Sequence, residues 1–72
     1  MDRLLEIINT VLENRGKTRV ETISGDSHLR NNLGMDSLDL AELTVRIEVE
    51  YEVDIFEDGI VETIGDILKK LS

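Results

Sequence analysis

The sequence contains no Cys, no Pro and no Trp, and only one Phe, one Tyr and one His in 72 residues. Without Cys there is no disulfide, and the chain itself supplies no thiol chemistry. One His and no Cys leave a structural zinc site without its usual ligand set. A disulfide-free chain fits a reducing cytosol, so a cytoplasmic location is expected. No apolar run is long enough to span a membrane, and the charged, helix-compatible start after Met1 is unlike a signal peptide. Bases are scarce as well: 8 Lys and Arg stand against 16 Asp and Glu, for a net charge of −8. Residues 36–66 hold eleven acids and one base, Arg46, while the remainder carries a small positive excess. Such a field repels phosphate backbones, which argues against nucleic acid as a partner, and it attracts a basic protein surface. Acids also keep a small domain soluble, and charge alone does not choose between these roles.

A chain of this length makes one small domain, 1–72, whose core is marginal enough that nearly every apolar face must be used. Leu4, Leu5, Ile7, Ile8, Val11 and Leu12 recur at helical spacing, and Gly16 can provide a left-handed exit. Residues 17–36 carry turn chemistry at Ser24-Gly25-Asp26-Ser27, Asn31-Asn32 and Gly34. Val20, Ile23, Leu29 and Leu33 punctuate that stretch and can pin a long loop onto a core. A second helix is predicted from about Ser37 to Glu52, with Asp36 able to cap it. A short helical turn is predicted around Glu57 to Val61, with Ile60 and Val61 turned inward. Thr63-Ile64-Gly65-Asp66 resembles a capping box for a last helix, Ile64 to Leu71. The expected fold is therefore all-α. It is a small four-helix bundle with a long loop between helices 1 and 2 and a short third helix. The predicted core comprises Leu4, Ile8, Val11, Leu12, Leu40, Leu43, Ile47, Tyr51, Ile55, Ile64, Ile67, Leu68 and Leu71.

The predicted 37–52 helix has two apolar stripes. Leu40, Leu43, Thr44, Ile47 and Tyr51 have the spacing of a core face. Leu38, Val45 and Val49 lie nearly opposite, with Ala41 beside them and Asp39, Glu42, Arg46, Glu48 and Glu52 around them. An apolar centre in an acidic frame is what a transient docking surface needs. The competing reading is a helix buried on two sides, with Val49 reaching a neighbouring loop.

Gly34-Met35-Asp36-Ser37-Leu38-Asp39-Leu40-Ala41-Glu42-Leu43 resembles the attachment motif of acyl carrier proteins, whose core is Gly-x-Asp-Ser-Leu. The resemblance extends in order over almost the whole chain. It implies that Ser37 carries a covalent 4′-phosphopantetheine arm, installed from coenzyme A by a separate phosphopantetheinyl transferase. It implies a non-catalytic, monomeric carrier that holds acyl intermediates as thioesters on that arm. Separate acyl-transferring and condensing enzymes of fatty acid, lipid or polyketide synthesis, with basic docking surfaces, would use it. Asp36, Leu38, Asp39, Ala41, Glu42, Val45 and Glu48 are the expected partner-docking residues, and no metal site is expected. Two positions depart from the common pattern: Asn32 stands where many carriers have Asp, and Ile55-Phe56 replaces an Ile-Pro step.

Two other classes fit less well. Asp54, Asp58 and Gly59 match positions 1, 5 and 6 of an EF-hand loop, but Phe56 and Gly65 occupy positions that need ligands. His28 is the sole imidazole and lies in a polar loop, so no nucleophile–His–acid trio can be argued.

Overall fold

The computed structural model describes residues 2–57, 59 and 61–71. Three helices are present among them: α1 (Asp2–Asn14), α2 (Ser37–Tyr51) and α3 (Ile64–Leu71). The described chain is all-helical, with no strand beyond an isolated bridge between His28 and Thr63. The predicted fourth, short helix is not found among the described residues. The chain forms a turn through Ile55–Glu57, and Asp58 and Ile60, inside the predicted short helix, lie outside the described residues.

α1 ends in a Schellman turn. The Lys17 amide donates to the Leu12 carbonyl at 2.8 Å and the Gly16 amide to the Glu13 carbonyl at 3.0 Å. Gly16 takes φ 72°, the left-handed value that this exit requires and that glycine adopts at least cost. Arg15 thus lies just past the helix, free to reach α2. α2 ends one residue earlier than predicted, because Glu52 itself adopts φ 60° and caps the helix, its amide donating to Glu48 O at 2.8 Å. The capping box at α3 is as the sequence suggests: Asp66 N donates to Thr63 Oγ1 at 3.2 Å, and Thr63 N donates back to Asp66 Oδ2 at 3.2 Å.

The long loop is fastened at three places. Buried Asn9 of α1 pairs with the Val20 backbone, donating to its carbonyl at 2.8 Å and accepting from its amide at 2.7 Å. Further on, Leu29 N donates to Glu62 O at 2.8 Å, Ile64 N to Ser27 O at 2.9 Å and Gly65 N to Gly25 O at 2.9 Å, which stitches the loop to the start of α3. A Cβ on Gly65 would sit 2.9 Å from the Gly25 carbonyl oxygen, so this crossing needs glycine. Last, Leu29, Leu33 and Met35 enter the core itself.

Of the thirteen residues predicted for the core, ten are buried; Tyr51, Leu68 and Leu71 pack against it only partly buried. Ile7, Leu29, Leu33, Met35 and Val61 complete it. The gain from the loop is physical: a helix-only core in so short a chain leaves apolar faces wet, and each buried Leu or Met contributes roughly 1.5–3 kcal/mol.

Candidate functional site

Ser37 is the first residue of α2 and is exposed. Two devices place it. Gly34 turns the chain at φ 74°, and its Cβ position meets no atom within 4 Å, so backbone conformation rather than space calls for glycine. Asp36 then caps the helix: its Oδ1 accepts from Asp39 N at 3.0 Å, while Asp39 Oδ2 accepts from Asp36 N at 3.0 Å. This reciprocal box satisfies two orphan amides and fixes where the helix begins. The Ser37 hydroxyl accepts from Arg30 Nη2 at 3.2 Å.

Beneath the capping box lies a charge cluster. Asp39 is fully buried. Its Oδ1 is 2.8 Å from Arg15 Nε, an ion pair outside hydrogen-bond geometry, and its Oδ2 accepts from Lys17 Nζ. Lys17 Nζ also donates to Gly34 O at 2.8 Å and is 3.5 Å from Asp36 Oδ2. The exit of α1 is thereby tied to the entrance of α2. Burial pushes the Asp39 carboxyl up, but the Lys17 ammonium and the Asp36 amide outweigh it, and the group rests below the ordinary carboxylate range. The Asp36 carboxyl is also lowered, first by the Asp39 amide and then by the Lys17 and Arg15 charges.

Asp39 therefore cannot serve as the exposed docking acid that the sequence suggested. It sits on the flank of the core stripe, and its charge is spent inside the molecule. The other predicted docking residues are accessible in different degrees. Leu38 is 63% exposed, Val45 59% and Val49 79%, so the second stripe of α2 is an open face and the two-sided burial does not occur. Ala41, Asp36 and Glu48 are exposed. Glu42 is half-buried, accepting from Arg46 Nε at 2.8 Å and Asn14 Nδ2 at 3.1 Å, and these bonds lower its carboxyl.

His28 organises the loop before the site. Its Nδ1 accepts from the amides of Arg30 and Asn31, each at 3.2 Å, and its own amide donates to Asn32 Oδ1 at 2.6 Å. Asn32 thus fills a turn role at the position where it departs from the common motif. A cleft of about 380 Å³ opens beside this loop, lined by His28, Leu29, Arg30, Leu40, Phe56, Val61 and Glu62. Sequence reasoning did not single out Arg30, Arg15 or Lys17 at the site; only their pairing across the fold reveals them.

An exposed serine hydroxyl with a cation beside it, on a rigid helix entrance, suits a covalently attached phosphodiester. A family profile described as the phosphopantetheine attachment site matches residues 2–71. The acyl carrier protein of Rickettsia bellii is 40% identical over 50 residues, covering 69% of this chain and 57% of that one. Those of Rickettsia massiliae and Rickettsia africae are each 38% identical over 66 residues, covering 89% of this chain and 76% of theirs. No solved structure gives a significant match. The family match spans nearly every residue and includes the Ser37 segment, and the chain belongs to the phosphopantetheine-attachment family of acyl carrier proteins, whose domain is the site of covalent 4′-phosphopantetheine attachment.

Proposed function

We propose that Ser37 is the attachment residue and that the chain carries acyl intermediates as thioesters on the arm, presenting them to separate enzymes. The observation that carries this reading is the exposed Ser37 hydroxyl at the capped first position of α2, within Gly34-Met35-Asp36-Ser37-Leu38. The arm, when attached, supplies the thiol that a chain without Cys lacks. The chain's own residues present the hydroxyl and support the phosphodiester; acyl transfer and condensation belong to the partners, so the protein itself is a non-catalytic carrier.

Fatty acid, lipid or polyketide synthesis in the cytoplasm is the proposed setting, and phosphopantetheinyl transferase is the first partner. The open face of α2 supports this. Leu38, Ala41 and Val45 offer apolar contact, while Asp36 and Glu48, with Glu42 at the edge, offer negative charge to a basic rim. Among the described residues no helix is long and apolar enough to cross a membrane.

The test is mass spectrometry after incubation with coenzyme A, magnesium and a transferase. The protein should gain one phosphopantetheine, mapped to Ser37, and Ser37→Ala should gain none. Modification of Ser37→Ala, or of another serine in the parent, would refute the assignment.

A further inference from the structure

We propose that Arg30 is a positioning residue for the arm: its guanidinium binds the phosphodiester on Ser37 and starts the arm at the mouth of the His28–Phe56 cleft. The inference rests on the attachment reading for Ser37. Arg30 is the sole Lys or Arg between residues 20 and 45. Its backbone is held rather than loose, because its amide donates to His28 Nδ1 at 3.2 Å and its carbonyl accepts from Gly34 N at 3.1 Å. From that anchor its side chain returns across the Gly34 turn, and Nη2 reaches the Ser37 hydroxyl at 3.2 Å.

That hydroxyl oxygen changes character on modification. As a bridging ester oxygen it becomes a poor acceptor, and a full negative charge is shared by the two non-bridging oxygens two bonds farther out. A guanidinium has five donors in a planar fork, which matches two phosphate oxygens, so a small side-chain movement transfers the contact to the charge. The competing cations are already engaged: Arg15 and Lys17 pair with Asp39 and Asp36. The acids of α2 repel the new charge, which leaves Arg30 as the cation in bonding reach of the modified oxygen. The same side chain lines the cleft with His28, Leu29, Leu40, Phe56, Val61 and Glu62. A phosphate held there places the first atoms of the arm against the cleft instead of in bulk water.

Arg30 is exposed, so the contact is a surface one and should be weakened by salt. The experiment is phosphorus NMR on the arm-loaded protein, with a short peptide bearing the same phosphopantetheinyl-serine diester as the free-arm reference and circular dichroism as the fold check. In the parent, the phosphodiester resonance should differ from the free arm and move toward it as sodium chloride is raised. In Arg30→Gln it should lie near the free value at every salt concentration, and Arg30→Lys should restore part of the difference and of the salt response. A parental resonance indifferent to salt, or one unchanged in a folded Arg30→Gln protein, overturns the role of Arg30 while leaving the attachment to Ser37 intact. Should Arg30→Gln fail to fold, the parental salt titration and Arg30→Lys still decide. Mass spectrometry keeps the two ideas apart, because a parent that gains no arm refutes the attachment itself, and the clamp with it.

Discussion

Asp39 carries its charge where water does not reach, and two cations from the end of α1 make this tolerable. Their side chains remain 36% and 32% exposed, so the pair is half in solvent and cheaper to break than a wholly buried one. Asp39→Asn should cost about 1–3 kcal/mol at neutral pH, since Arg15 and Lys17 lose their anion and the capping box loses a charged acceptor. The pH dependence has a definite sign. The folded-state pKa is lowered, so the stabilisation is fully present above the unfolded value of about 4 and is lost as pH falls through the folded value. Urea titrations between pH 7 and 2 should therefore show the parent and Asp39→Asn converging in the acid range. Some acid sensitivity should persist in the variant, because Asp36, Glu42 and Asp66 are lowered too. Parallel curves would mean that Asp39 contributes no proton linkage. None of this cluster was legible locally. At 100° per residue Asp39 falls roughly 40° from Leu43, on the border between core and rim, and only the Schellman exit of α1 brings Arg15 and Lys17 over it.

At the scale of the helix, α2 works as a divider. Leu40, Leu43 and Ile47 are buried on one side, and Leu38, Val45 and Val49 are exposed on the other. The two stripes were readable from 3.6-residue periodicity, and the cap at Asp36 and the box at Thr63–Asp66 from the residue types at the helix starts. The loop was readable only as a loop. Its apolar residues were visible, but the Asn9–Val20 pairing and the Gly25–Gly65 crossing are long-range and leave no periodic trace. If the open stripe is the docking face, apolar and charged positions on it should fail differently. Val45→Asp puts an unpaired charge into the contact and should mainly speed dissociation from the transferase. Glu42→Lys should mainly slow association and flatten its salt dependence. That effect should be partly offset because Glu42 already spends its charge on Arg46. Both variants should keep the parental circular dichroism, since neither side chain is in the core. Binding kinetics by surface capture, read at two salt concentrations, separate the two. Parental rates for a folded Val45→Asp protein would remove this stripe from the docking surface.

The whole molecule has a radius of gyration of 10.9 Å, near the roughly 11 Å expected of a compact chain of this length, so the long loop is folded against the helices. What encloses the core is mostly aliphatic: among its fully buried large side chains are Leu and Ile but no aromatic ring, and Phe56 stands half-buried at the cleft. Branched aliphatic side chains can part more readily than interlocked rings. The cleft between the loop, α2 and the segment before α3 leads from Arg30, beside Ser37, to buried Leu29, Leu40 and Val61. An acyl chain on the arm is therefore expected to enter it, trading its own exposure for contact with these residues at about 0.8 kcal/mol per buried methylene. Because the chain is tethered, this gain stabilises the folded state without depending on free ligand concentration. The melting midpoint should rise from the arm-loaded form through short to medium acyl chains, by roughly 4–8 °C for each kcal/mol gained, and then level off once the cleft is full. Scanning calorimetry on a graded acyl series measures this directly. A midpoint independent of chain length would place the acyl group in solvent. A rise that continues with every added carbon would mean that the helices part well beyond the cleft now present.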